Sequence, residues 1–273
     1  MIQTVVEMMS HTFIQRAVLV GSLVSLCAAL LGVSLVLKRY SMIGDGLSHV
    51  GFGILTVATA FGFSSPLYIS IPGVAISAVI LLKIGNNSKI KSDSAIALIS
   101  SSALAIGVAI TSLTTGLNTD VCNFMFGSIL AMTQSDVYLS VIVSIIVAIL
   151  FVLYYRKLFL ITFDEEFAIA SGLKAKKYTN LIAILTALVI VVGMRMMGTM
   201  LISSIIIFPA LTSMRLFKSF KKVVISSGII SVVAFLIGIY LSYIYNISTG
   251  ATIVLVNLTI FIIFTIIDKI LHE

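Results

Sequence analysis

Apolar residues in this chain neither alternate nor recur with the period of a surface helix. They run in unbroken stretches separated by short polar links. Phe13–Leu37, Met42–Phe61, Leu67–Leu82, Ala95–Leu113, Val137–Tyr155, Val223–Tyr243 and Ala251–Ile267 lie near or above the ~17–25 residues that cross a bilayer as a helix. Lipid offers no water to the backbone, so each run must satisfy its own N–H and C=O groups by coiling into a helix. Pro72 inside the third run is expected to kink or shorten it. Two further runs, Leu181–Met194 and Leu201–Met214, are short for independent spans and are joined by RMMGTM. Phe124–Met132 is too short to cross and reads as a partly inserted or interfacial piece. Counting the two short runs separately predicts nine spans, and merging them into one re-entrant unit predicts eight. The expected fold class is thus an all-α polytopic membrane protein, a bundle of about nine (eight to nine) transmembrane helices. Residues 1–273 are read as a single transmembrane domain with no room for a soluble one.

Composition agrees: 60% of the 273 residues are hydrophobic and only 10% are charged. The formal charge of +7 does not point to nucleic acid, because the bases sit at the ends of apolar runs. Lys38-Arg39, Arg156-Lys157, KIGNNSKIKSD and RLFKSFKK therefore read as cytoplasmic links, with the N-terminus outside and the C-terminus inside. Of 17 Lys and Arg residues, only Arg16 and Arg195 fall on the outer side in this arrangement. The Met1–Ser10 start is not basic and no small-residue cleavage site follows, so no cleavable signal peptide is expected. Cys27 and Cys122 stand alone in separate segments, without a CxxC, and read as small buried residues.

Three stretches carry candidate chemistry. The first is Tyr40–Leu55, YSMIGDGLSHVGFGIL, where Asp45 and His49 stand four apart and so share one helix face. Carboxylate oxygens and an imidazole nitrogen both bind divalent cations. An ionisable residue within a span is costly and points to function, whereas a mere interfacial cap would sit at the membrane edge that Lys38-Arg39 already marks. The second is FDEEFAIASGLKAKKY, where Asp164, Glu165 and Glu166 come first and Lys174, Lys176 and Lys177 last. That order suits a short helix with acids at its positive end and bases at the other, terminated by Gly172. Phe163, Phe167, Ile169 and Ala170 give it an apolar side for the membrane surface or a partner. The third is the pair of short runs around Arg195, which hold Ser203, Ser204 and Pro209. Paired interrupted segments are a pointer to a substrate pathway, so these four are candidate pathway or gate residues. Arg195 could equally be an interfacial arginine reaching headgroups.

The stretch SMIGDGLSHVGFG resembles the G-D-x-[LI]-[SA]-H signature of bacterial ABC transporter permeases for zinc, manganese and ferrous iron. KSDSAIALISSSALAIGV, FMFGSILAM, FDEEFAIASGL, MMGTMLISSIIIFPAL and STGATIVL extend the likeness over essentially the whole chain. The resemblance implies a permease subunit of an importer in the bacterial cytoplasmic (inner) membrane. Asp45 and His49 would bind the metal in transit, with no permanently bound cofactor. Phe163–Leu173 would be the coupling helix that docks on a cytoplasmic ATPase, through Phe163, Asp164, Glu165, Glu166, Phe167 and Gly172. Two copies would form a homodimer, fed by an extracytoplasmic metal-binding protein. One departure stands out: the later spans hold no second acid, only Asn257, Ser203, Ser204 and the Met194–Met200 cluster.

The chain lacks G-x-x-x-x-G-K-[ST], so it is expected to be no enzyme itself, and ATP hydrolysis falls to the partner subunit. An intramembrane metalloprotease would need H-E-x-x-H, which is absent. An ion-driven secondary carrier would have no use for the acidic-aromatic cytoplasmic helix. One carboxylate and one imidazole suit zinc, manganese and ferrous iron; the affinity order favours zinc, and within the family the GDGLSH form with HVGFG after it resembles the zinc-type members more than the manganese-type, with manganese or iron as the alternative.

Overall fold

The computed structural model describes residues 7–63, 66–87, 92–114, 127 and 133–272. The interfacial piece expected at Phe124–Met132 (Gly127 apart), together with Asp120, Cys122 and the lysines at 89 and 91, lies outside the described residues. In chain order the helices are α1 (Thr12–Leu37), α2 (Met42–Ala60), α3 (Pro66–Asn87), α4 (Ser92–Leu113), α5 (Gln134–Phe163), α6 (Glu165–Ala170), α7 (Ala175–Leu216), α8 (Phe220–Tyr245) and α9 (Thr249–His272). No strand occurs among the described residues. Seven of these helices are long and apolar enough to cross a membrane: α1, α3, α4, α5, α7, α8 and α9. The expected eight to nine spans are therefore not confirmed. The difference has two sources. Asp45, Ser48 and His49 dilute the apolar character of α2, and the two short runs fall within one 42-residue element, α7.

That element is not one straight helix. Gly198 has φ 81° and ψ 162°, a conformation open essentially to glycine alone. A methyl placed on Gly193 would lie 2.5 Å from Cδ1 of Ile202. Nine residues of straight helix would hold these positions ~13.5 Å apart along the axis, so the chain doubles back at Gly198. The expected break at RMMGTM is present, and its cause is this one backbone position. Gly127 lies against the break, close to the backbone of Met197 and Gly198.

Two further boundaries differ from expectation. α5 does not stop at Arg156-Lys157 but continues to Phe163, 30 residues in all. Bases end an apolar run without ending a helix, since their stems pack while their charges reach water. Lys157 Nζ lies 5.3 Å from the centre of the Tyr178 ring and 5.7 Å from that of Tyr154. Likewise, Lys174, Lys176 and Lys177 do not close the short helix. α6 ends at Ala170, Gly172 turns the chain with φ +81°, and the lysines open α7 instead.

α7 is the centre of the bundle, packed against α1, α2, α3, α5, α8 and α9. α2 is held between neighbours by two rows of small residues. Gly44 and Gly51 admit Ile206 and Met194 of α7, while Gly46 and Gly53 admit Ile96 and Ala103 of α4. Leu47, Phe52 and Leu55 are fully buried around them. Cys27 is free and buried, as expected.

Candidate functional site

Residues 45 and 49 point between the two glycine rows of α2, on a side of that helix that its neighbours leave partly open. The side chains of Asp45 and His49 are 44% and 22% exposed, on a helix whose other residues are mostly buried. His49 Nε2 stands 3.7 Å from Asp45 Oδ2. Ser203 of α7 donates its hydroxyl toward Asp45 Oδ1 at 3.5 Å while also donating to the Thr199 carbonyl at 3.0 Å. The doubling back of α7 at Gly198 is what brings Ser203 to α2. A carboxylate, an imidazole and a hydroxyl thus converge from two elements 158 positions apart in sequence. His49 Nδ1 is buried and has no hydrogen-bond partner among the described residues.

The donor set fits a divalent cation held loosely. Among the described residues no third His, Cys, Asp or Glu joins the pair. A site with two strong ligands and a hydroxyl leaves coordination positions to water. Such a site can release its ion as well as bind it, which is the requirement of a pathway rather than a store.

The other sequence-predicted residues divide. Ser204, beside Ser203, donates to the Met200 carbonyl at 2.9 Å. Pro209 is buried further along the same half of α7. Asn257 is buried and donates to the Ile253 carbonyl at 3.0 Å. Arg195 pairs with Asp136 at 3.3 Å, both largely buried, on the wall of a cavity of about 250 Å³ that Leu67, Tyr68 and Thr133 also line. The snorkelling alternative for Arg195 therefore gives way to a specific partner. Asp136 was missed, although T-Q-S-D at 133–136 is a readable capping box. Asp136 Oδ2 accepts from the Thr133 N–H at 2.9 Å and Thr133 Oγ1 accepts from the Asp136 N–H at 3.3 Å.

At α6, Asp164 is the N-cap and accepts from the Phe167 N–H at 2.8 Å. Glu165 and Glu166 occupy the first turn, where the helix dipole favours negative charge. Phe163, Phe167 and Ile169 are all more than half exposed, and only Ala168 is buried. Gly172 has nothing within 4 Å of where a Cβ would stand. Three large apolar side chains in the open beside three acids make a surface shaped for contact.

Residues 10–268 match the model of the ABC 3 transport family. The chain belongs to the ABC 3 transport family.

Relatives cover nearly its full length. The manganese import system permease protein ScaB of Streptococcus gordonii is 32% identical over 252 residues, 92% of this chain and 90% of that one. A Haemophilus influenzae membrane protein named for iron transport is 33% identical over 266 residues, 96% of each chain. The solved structure of PsaBC from Streptococcus pneumoniae in complex with Fab superposes with a TM-score of 0.87 at 29% identity, covering 97% of this chain and 95% of that one. The resemblance drawn from GDGLSH and FDEEFAIASGL is borne out. This ABC 3 chain is a multi-pass permease of the metal-type ABC transporters, in a bacterial inner membrane. Within that family frame the glycine rows of α2 and the break at Gly198 are the devices that assemble the polar site.

Proposed function

We propose that this permease carries a divalent transition metal inward, as the membrane-spanning subunit of an ATP-driven importer. Asp45 and His49 bind the ion in transit, and Ser203 or water completes its shell. The observation that carries the reading is the convergence of Asp45, His49 and Ser203 on a partly exposed side of α2. Manganese or ferrous iron is the proposed cargo, ahead of the zinc favoured from the sequence pattern. Relatives at 32% and 33% identity are named for manganese and iron, and oxygen donors outnumber nitrogen in the site.

The working unit in this reading is a homodimer with two cytoplasmic ATP-binding subunits, supplied by an extracytoplasmic metal-binding protein. The exposed acidic-aromatic surface of α6, with Phe163, Asp164, Glu165, Glu166, Phe167 and Gly172, docks on the ATPase. Arg195, Ser204 and Pro209 belong to the pathway or its gating. Counting α2 and the two halves of α7 as separate passes gives the nine spans of the sequence reading.

The test is metal uptake into proteoliposomes holding the permease, its ATPase and the binding protein, with manganese, ferrous iron and zinc offered separately and in competition. ATP-dependent uptake of manganese or iron that zinc does not outcompete supports the assignment. Zinc uptake alone returns the cargo to zinc. Uptake that proceeds without the ATPase refutes the ABC mechanism in favour of an ion-driven carrier.

A further inference from the structure

Lys38 is the C-cap of α1, where a lysine would be expected to reach into water. Instead its side chain is only 8% exposed. Its ammonium donates to Glu165 Oε2 at 2.9 Å and to Thr179 Oγ1 at 3.2 Å. One buried cation thus ties together the end of α1, the first turn of α6 and the first turns of α7. α6 has few other holds, with Ala168 as its one buried residue.

The other side of this strap leads to the polar site. Between α1 and α2 lie only Lys38–Ser41, and the turn is tight: the Tyr40 N–H donates to the Leu35 carbonyl at 2.8 Å and the Ile43 N–H to the Tyr40 carbonyl at 3.0 Å. Arg39 holds a left-handed φ of 60°, unusual for a side chain other than glycine or asparagine. Burial, helped by the charge of Glu165, holds the Tyr40 phenol above its usual range. Asp45 follows in the first turn of α2. A push on α6 therefore reaches Asp45 through one ion pair and one short, hydrogen-bonded turn.

We propose that Lys38 is a positioning residue for transport: through Glu165 and Thr179 it locks α6 to the α1–α2 turn, so that movement of the docked ATPase is delivered to the Asp45–His49 end of α2. This rests on the proposed function of the chain as an ABC metal permease. It goes beyond that reading by naming the route, one that runs through α1 and α2 rather than along α7 alone. A buried lysine between two elements is also open to a purely structural explanation, in which it only stabilises the fold. The two differ in what removal of the charge does. Lys38→Met keeps the length of the stem and takes a charge out of a buried site, leaving Glu165, 42% exposed, to be solvated. The fold should survive while the lock is lost.

Two measurements decide it. In the isolated permease, without metal or ATPase, hydrogen exchange of the amides of residues 164–173 should become at least about tenfold faster in Lys38→Met, the ratio that one charge-assisted hydrogen bond is worth, while the amides of α8 stay unchanged. In proteoliposomes with the ATPase, the same variant should retain the ATPase but move at least about fivefold less metal per ATP hydrolysed, the lower end of a typical coupling between two sites. The swap of Lys38→Glu with Glu165→Lys should restore much of the exchange protection in the isolated permease, since Thr179 can donate to a carboxylate as readily as it accepts from an ammonium; transport is not read in the swap, because Glu165 also belongs to the docking surface of α6. Unchanged exchange at 164–173 overturns the lock. Faster exchange with a wild-type ratio of metal to ATP overturns the coupling route. Equal loss of exchange protection in α8 marks Lys38 as a stabiliser only and also overturns the proposal. A wild-type protein that moves no metal defeats the transport reading itself, a result distinct from wild-type transport that Lys38→Met leaves untouched.

Discussion

Replacing Gly198 by alanine tests the element on which the polar site depends. At φ 81° and ψ 162° the backbone is in a region that costs an L-residue about 1–3 kcal/mol. The strain has no easy escape. Straightening α7 would make a helix of 42 residues, ~63 Å long, about twice the ~30 Å hydrocarbon core. It would also pull Ile202 away from Gly193 and Ser203 away from Asp45. The variant should therefore keep the bend and bear the strain, a shift of roughly 5- to 150-fold in the folded-to-unfolded ratio. For a chain of this size that corresponds to an unfolding midpoint lowered by roughly 2–12 °C, measured in detergent on the purified permease. Metal uptake should fall as well, because Ser203 lies five residues beyond the break. Gly62→Ala is the control: it too sits at a positive φ, 75°, but nothing lies within 4 Å, so it should cost about 1 kcal/mol and leave uptake intact. An unchanged midpoint together with normal uptake in Gly198→Ala would refute the claim that this bend assembles the site.

Three further outcomes are expected. Asp45→Asn or His49→Ala should abolish metal uptake while the protein remains inserted and still co-purifies with its ATPase, since each change removes a strong ligand together with a costly ionisable group; normal uptake in His49→Ala would make the pair structural. Phe167→Asp or Gly172→Val should weaken co-purification of the ATPase and lower metal-stimulated hydrolysis, the first by placing charge on the exposed apolar surface of α6 and the second by straining a φ of +81°; full recovery of the complex in both would remove α6 from docking. Asp136→Asn should leave the cap of α5 largely in place but strand the guanidinium of Arg195 in a site 22% exposed, at a cost of about 3 kcal/mol, read as a lower unfolding midpoint; a midpoint equal to wild type would show the pair to be solvated and dispensable.

Much of this protein was legible before folding, because a bilayer leaves the backbone few choices. Continuous apolar runs of bilayer length have to be helices, so the all-α class, the start of α2 at Met42 and the link-by-link distribution of basic residues could be read directly. Asp45 and His49 were also legible, since a four-residue spacing fixes a shared face whatever the helix packs against. The weak signals were those that depend on distance in space. Nothing in the local sequence says that Ser203 rather than Ser204 meets Asp45; that is decided by the turn of α7 at Gly198 and by the close approach that Gly44 permits to Ile206. The partners of Arg195 and Lys38 are 59 and 127 residues away in the chain, and an ion pair at that separation leaves no trace in spacing. Helix ends were misjudged where charge was taken as a stop. Arg156-Lys157 lies within α5, and the lysines after Gly172 begin α7, because hydrogen bonding and backbone conformation end a helix while charge only marks where it meets water. The sequence therefore determined which segments form helices and that Asp45 and His49 share a helix face. The tertiary structure decided which distant residues meet them, because that meeting depends on where two helices are allowed to touch.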